Sequence, residues 1–428
     1  MASEQTLTSV SNRDLLPAPG AFGSRIIQAA SALARWSDTA DGLSCTFLGS
    51  AHRAVARELR ERMADAGMQA HIDGVGNVIG RYPSPRPGAK TLIVGSHYDT
   101  VHNAGRYDGR LGIIIGLIVA EYIAKAGIVL PFHYEVVGFS EEEGVRFSLP
   151  YIGSAALAGH FDPQWLKRRD AEGTTLSSAL REAGNDPGAI ASLAFHKEEI
   201  LGYIEVHIEQ GPILQQQGLP LGVVSSIAGT ARLNISVTGE AGHAGTVPMA
   251  LRHDALAAAA EVILMVERRC AAVPRLVGTV GRIQVASAAP NVIPGRVEFS
   301  VDLRAAEDRV RDSAIDDLRA GLIDIHSRRN VTFETRELSR VPAVACTPHL
   351  REHLERAVAD IGIKPYSLYS GAGHDAVMFD GLTEVAMLFV RCGNGGISHS
   401  SRETVTIEDA GAPALFDAIL AIAAEQAG

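Results

Sequence analysis

Four short segments, well separated along the chain, hold the side chains best suited to chemistry. The first is GSHYDTVHNAGRYDG, Gly95–Gly109, which offers His97, Asp99, His102 and Asp108 within twelve residues. A histidine at a strand end can present a ring nitrogen to a metal, and a carboxylate two residues on can orient that ring from behind. Asp108 lies between Gly105 and Gly109, where backbone freedom would let its two oxygens bridge two ions. The second segment is SEEEG, Ser140–Gly144. Three consecutive carboxylates repel one another, and a cation or a raised pKa relieves the repulsion. One glutamate could ligate a metal while its neighbour acts as base toward water. The third, EVHIEQGP at Glu205–Pro212, carries His207, and the fourth, GISHSS at Gly396–Ser401, carries His399. Each segment alone also fits a structural role: a capping aspartate, a solvated acidic turn, a hydrogen-bonded core histidine. Together they offer His, Asp, Glu, His and His. That set suits zinc or manganese, with a carboxylate bridge and a position left open for water.

These segments need strand ends to converge. Thr91–Ser96 (TLIVGS) is a nearly continuous apolar run, as in a buried parallel strand. A helix is expected over Gly109–Ala126 and a strand over Phe132–Phe139, which makes a right-handed βαβ unit. Ligands of such sheets gather beyond the carboxyl ends of the strands, where the first two clusters fall. Residues 52–66 read as a helix closed by Gly67. The middle of the chain has another rhythm. Arg232–Gly239 alternates like a strand with one exposed face, Pro248–Cys270 reads as helix, Leu276–Val285 and Arg296–Arg304 as strands, and Glu307–Arg328 as helix. That pattern implies an α+β module with helices on one sheet face. After Pro342 a helix over Pro348–Ile361 and a strand over Glu384–Val390 restore the α/β rhythm. The expected organisation is a catalytic α/β domain, 1–227 plus 341–428, interrupted by an inserted domain near 228–340.

Composition narrows the function classes. The chain has 428 residues, room for two or three domains, and 46% of them are hydrophobic, enough for a large core. Acids outnumber bases 49 to 39, giving a net charge of -10; without a general basic footprint, nucleic acid is not expected as partner. Cys45, Cys270, Cys346 and Cys392 are far apart with no CxxC, as expected of reduced thiols in a cytoplasmic protein. Met1–Asp14 lacks the apolar core of a signal peptide. The most apolar run, Leu111–Ala120, is ten residues long, against the ~20 needed to span a membrane. No membrane association is expected.

The sequence resembles the M20 metallopeptidase superfamily, and within it the amidase, hydantoinase/carbamoylase branch. That branch includes N-carbamoyl-L-amino acid amidohydrolases, β-ureidopropionases and allantoate amidohydrolases. From about residue 20 onward, GSHYDTV, EEEGVRF, EVHIEQGP, GHAGTVPM, NVIPGRVEFSVDLR, SGAGHDA and GISHS occur in the family's order. The resemblance implies a di-metal aminopeptidase-like domain with a mostly parallel sheet, and an inserted ferredoxin-like α+β domain serving as lid and dimerisation unit. It makes His97, Asp108 and His207 ligands of one divalent ion, and Asp108, Glu143 and His399 ligands of the other, with Asp108 bridging. Glu142 matches the general base, Asp99 the carboxylate that steadies His97, and His243 a histidine that stabilises the oxyanion, often from the neighbouring subunit. Arg304 matches a substrate-carboxylate clamp, a task suited to a planar fork of donors. Gln210, Arg232 and Asn291 match further substrate contacts, and Gly371 and Ala372 a backbone contact. The resemblance thus implies two ions (zinc or manganese, with cobalt or nickel also fitting), a small anionic ureido substrate and a homodimer.

The reaction expected is cleavage of the carbamoyl C–N bond of an N-carbamoyl-L-amino acid to amino acid, ammonia and carbon dioxide. Allantoate and N-carbamoyl-β-alanine are alternatives on the same mechanism. A peptidase or aminoacylase on this scaffold is disfavoured by EVHIEQGP, which belongs to the ureido-cleaving branch. A metal-free binding protein should show degraded ligand positions, yet all five are intact. No GxSxG elbow, HExxH or P-loop lysine motif occurs, and GVGNVIG, Gly74–Gly80, is a poor nucleotide fingerprint.

Overall fold

The structure is a computed structural model that describes residues 21–406 and 412–427. The described chain divides into two compact units. One runs to Ser225 and takes up again at Cys346–Leu368 and from His374 onward; the other holds Ser226–Ala345 and Tyr369–Gly373.

The first unit is built on a mixed, mainly parallel sheet. Strands β1 (Gln69–Ile72) and β2 (Val78–Tyr82) form an antiparallel hairpin. β3 (Thr91–His97) is buried at every residue, as its nearly continuous apolar sequence favours. Helix Arg110–Lys125 follows, and β4 (His133–Phe139) returns parallel to β3, giving the βαβ unit read from the sequence. β5 (Ile200–Ile208) pairs parallel with the other side of β3. β6 (Leu221–Ile227) leads to the second unit. The helix after β3 packs on β5 so closely that a Cβ on Gly112 would lie 2.0 Å from the Val206 carbonyl oxygen, so only glycine fits there.

The second unit reads strand, helix, strand, then strand, helix, strand. Its sheet strands are β7 (Gly229–Thr238), β9 (Leu276–Thr279), β10 (Ile283–Val285), β12 (Arg296–Ala305) and β13 (Thr332–Val341); β8 (Gly242–His243) and β11 (Val292–Ile293) form a separate ribbon. The sheet runs β10-β12-β7-β13, with β9 also on β12, and every pairing is antiparallel. β9 and β10 share one lane, so the order matches a split βαβ sheet of ferredoxin type. Burial along β12 alternates residue by residue. Val297, Phe299, Val301, Leu303 and Ala305 face helices Ala255–Ala271 and Asp308–Arg329, while Asp302 and Arg304 take the other face. β14 (Val344–Ala345) then pairs with Ser226–Ile227.

Back in the first unit, β15 (Ser367–Ser370) begins and β16 (Val385–Val390) completes the parallel core. The first unit's strands run β1-β2-β4-β3-β5-β16-β6, so the four central strands, β4, β3, β5 and β16, are mutually parallel.

Two sequence expectations need correction. The helix expected from Pro248 begins at Ala255, because the Asp254 side chain accepts the Leu256 and Ala257 amides and caps it there. The strand expected over Leu276–Val285 is two, broken at residues 280–282. β13 was not foreseen at all.

Candidate metal centre

Each parallel strand delivers its side chain at the same end of the sheet. His97 is the last residue of β3, His207 the eighth of nine in β5, and the glutamates follow β4 at once. Three loop residues near this end hold positive φ without being glycine: Glu141 (51°), Gln210 (54°) and His399 (53°). Such backbone is uncommon and marks chain bent to present side chains.

Asp108 sits at the middle. Its Oδ1 lies 3.2 Å from His207 Nε2 and 3.5 Å from His97 Nε2. Its Oδ2 lies 3.2 Å from His399 Nε2, which in turn is 3.4 Å from Glu143 Oε1. Donor atoms of His97, Asp108 and His207 therefore fall within 4.8 Å of one another, as do those of Asp108, Glu143 and His399, and those of His97, Glu142 and Glu143. His102 is exposed and enters none of these sets. Gln210 Nε2 and Ser398 Oγ donate to Asp108 Oδ2, at 2.9 and 2.6 Å.

These residues fit cations. Asp108 Oδ1 is buried and accepts no hydrogen bond. His207 Nδ1 faces the Ile208 carbonyl at 2.8 Å and must donate to it, while the Gly109 amide donates to His207 Nε2. Nε2 then carries no proton and lies 3.2 Å from the orphan oxygen of Asp108, so two acceptors stand side by side, an arrangement that a positive ion resolves. Burial lowers His97 and His207, but the surrounding carboxylates, Asp108 foremost with Asp99 and Glu142 at His97 and Glu205 at His207, together raise both, so the pocket draws positive charge. Gly109 makes the fit possible. It has φ 66°, and a Cβ there would lie 2.4 Å from the His97 carbonyl oxygen and 2.5 Å from its ring.

Asp99 ties two loops together. Its Oδ1 accepts the Glu142 amide (3.0 Å) and lies 3.4 Å from His97 Nδ1; its Oδ2 accepts the Glu143 amide (3.1 Å). Burial drives Glu142 well above the usual carboxylate range, with Glu143, Asp375 and Asp99 adding repulsion. Burial likewise pushes Glu143 up to about 7. The hydrogen bond to Asp108 holds His399 at about 8.

The chain has known relatives. Residues 93–419 match the family described as Peptidase family M20/M25/M40. The chain belongs to that family. It is 40% identical over 363 residues to the N-carbamoyl-L-amino acid amidohydrolase of Geobacillus stearothermophilus, covering 84% of this chain and 88% of that one. It is 39% identical to allantoate deiminase 2 of Glycine max, over 90% of this chain and 86% of the other. Among solved structures, a hydantoinase/carbamoylase family amidase from Burkholderia multivorans superposes with a TM-score of 0.88 at 32% identity, covering 94% and 98% of the two chains. This family member is a hydrolase.

The second unit gathers most of the remaining candidates. Register places Arg232 directly opposite Asp302, and alternation puts Arg304 on the same face. Asp302 accepts from Arg232 Nε (3.0 Å) and from Arg304 Nε and Nη2 (2.8 and 3.2 Å); Arg304 Nη1 donates to the Gly371 carbonyl (2.9 Å). These residues line a cleft of about 610 Å³ with Thr279 and Ser300. Ala372 donates its amide to Ser370 Oγ. His243 lies on the β8–β11 ribbon, paired with Val292, and is exposed; its Nδ1 accepts the Gly245 amide at 3.0 Å. Asn291 immediately precedes β11, and its carbonyl accepts the Ala244 amide.

Several buried groups at the centre escaped sequence reading. Glu403 Oε1 accepts the Tyr107 and Asp108 amides, and its Oε2 accepts Ser398 Oγ, so one carboxylate braces the loops of Asp108 and His399. The His374 ring packs edge-on against His207, with centroids 4.6 Å apart. Glu205 accepts from Ser96, Tyr203 and the Ala376 amide beneath it. SGAGHDA and EVHIEQGP contain His374, Asp375 and Glu205, but nothing in their spacing shows that they meet.

Proposed function

We propose that this chain hydrolyses the carbamoyl C–N bond of an N-carbamoyl-L-amino acid, releasing amino acid, ammonia and carbon dioxide. The observation that carries this reading is the placement of Asp108, whose two oxygens face two separate donor sets. His97, Asp108 and His207 would hold one divalent ion, and Asp108, Glu143 and His399 a second. Imidazole and carboxylate donors suit zinc or manganese, and cobalt or nickel also fit. When bound, the ions polarise the ureido carbonyl and make water a stronger nucleophile.

The protein's own groups do the rest. Glu142 takes the proton of the attacking water and returns it to the leaving nitrogen; a carboxylate with a raised pKa can serve both halves of that relay. Asp99 fixes the base and His97 in one geometry through three contacts. His243 accepts at Nδ1, so its proton sits on Nε2, the form needed of a donor to the developing oxyanion. Asp302 locks Arg232 and Arg304 into a fixed fork, and Arg304 takes the substrate carboxylate. Gln210, Asn291, Gly371 and Ala372 complete the substrate contacts. The net charge of -10 does not oppose an anionic substrate, since the local field governs its approach. A lid role for the second unit, a homodimer and a cytoplasmic location belong to the same reading. Light scattering that returns only monomer removes the dimer.

Ammonia release from a panel of N-carbamoyl-L-amino acids, allantoate and N-carbamoyl-β-alanine, each with added zinc, manganese, cobalt or nickel, tests the proposal. Turnover of N-carbamoyl-L-amino acids is expected. Turnover of allantoate alone favours a second reading, motivated by the 39% identity to the Glycine max allantoate deiminase. No ammonia from any ureido compound overturns both.

A further inference from the structure

A second cluster of metal-type donors lies in the first unit, built from elements that supply nothing to the centre described above. Helix Pro348–Asp360 carries His349 and His353 four residues apart, so both rings emerge on one face. Helix Ala412–Ala427 packs against it and brings Glu425. Glu425 Oε1 lies 3.0 Å from His349 Nε2, and its Oε2 2.8 Å from His353 Nε2. The two rings stand at 75° with centroids 5.0 Å apart. On its far side, His349 Nδ1 meets Glu384 Oε2 at 2.8 Å.

That last contact orients the site. A carboxylate behind a ring holds the proton on Nδ1 and turns the Nε2 lone pair outward, the usual support of a metal-bound histidine. The outward nitrogen of His349 then faces a carboxylate oxygen, acceptor against acceptor. Only a second ring proton or a cation reconciles the pair. The spacing suits the cation. Ligands about 2.0–2.1 Å from a tetrahedral ion stand about 3.3 Å apart, so the observed 2.8–3.0 Å needs only a few tenths of an ångström of relaxation. The side chains of His349 and Glu425 are 43% and 47% exposed, which gives an ion a way in, while His353 is nearly buried and anchors the floor.

We propose that His349 Nε2, His353 Nε2 and the Glu425 carboxylate form a surface site for a zinc-like divalent cation, oriented by Glu384, that staples helix Pro348–Asp360 to helix Ala412–Ala427. Two imidazoles and one carboxylate select zinc, nickel or copper over magnesium or calcium.

Equilibrium dialysis of the full chain against micromolar zinc, with bound metal counted by mass spectrometry, tests the site. His349→Ala and Glu425→Gln are each expected to bind one zinc per chain fewer than the unaltered protein, and zinc should raise Tm less in both. Ammonia release stays unchanged in both, because neither residue belongs to the catalytic machinery. An equal zinc count in the unaltered chain and both variants overturns the proposal and leaves a proton-bridged ion pair. If either replacement weakens the fold, diethyl pyrocarbonate labelling of the unaltered protein gives a second reading. Zinc should protect His349, and labelling indifferent to zinc overturns the site.

Discussion

At the scale of single residues, Glu142 and Arg304 make separable demands. Glu142→Gln keeps the shape and removes the proton acceptor. Its kcat is expected to fall about 10²–10⁴-fold, the usual contribution of a positioned base, with metal content unchanged. Near-normal turnover would strip Glu142 of that role. Arg304→Ala should raise KM for carboxylate-bearing substrates about 10- to 100-fold, the worth of a charge-assisted hydrogen bond. A neutral ureido analogue should be indifferent, and an equal loss on both compounds counts against the clamp. The donors themselves were legible because each stands beside a recognisable strand end or turn. Glu403 was not. Its partners are the amides of Tyr107 and Asp108, nearly three hundred residues earlier, and no periodicity links such positions. Arg304, which the resemblance matches to a carboxylate clamp, is also ion-paired to Asp302 two residues before it on the same strand.

At the scale of elements, the turn from β3 into its helix is tightly constrained. Gly109→Ala would force an L side chain into φ 66° and drive its Cβ against His97. The backbone strain alone costs about 1–3 kcal/mol. A lower urea midpoint together with loss of bound metal is expected; full metal content at the usual midpoint would show that the loop adapts. β3 and β12 declared themselves in sequence, since the apolar run of one and the alternation of the other have distinct periods. β13 did not. It is an edge strand with seven of its ten residues exposed, TFETRELSRV, so neither face writes an apolar pattern. The overlong reading of helix Ala255–Ala271 has a similar origin. Pro248 offered a plausible first turn, while the true start depends on the cap at Asp254, whose effect lies in two local hydrogen bonds.

At the scale of the whole molecule, the acid cluster couples stability to pH and to metal. In chelator-stripped protein, burial holds Glu143 and Glu403 at about 7, against an ordinary value of 4.5. The folded state then keeps protons that the unfolded chain has released, so stability falls as pH climbs from about 4.5 to 7. His399, held at about 8 by Asp108, stabilises fully below 6.5 and loses that contribution as pH rises through 8. Asp108 lies far below its ordinary 3.8 and changes nothing in this window. All three shifts act in one direction. The urea midpoint of stripped protein should drop between pH 5 and pH 8, and restored divalent metal should flatten the slope. A midpoint that rises with pH would contradict this account. The same architecture bears on how the chain reaches its native state. The donors hang on β3, β4, β5 and the segment beyond β16, spread from residue 97 to residue 399, so no early local hairpin or helix can gather them. An ion held by these residues can be captured only once those strands have met. A fluorescent zinc indicator in a refolding experiment would therefore time the completion of folding rather than its onset.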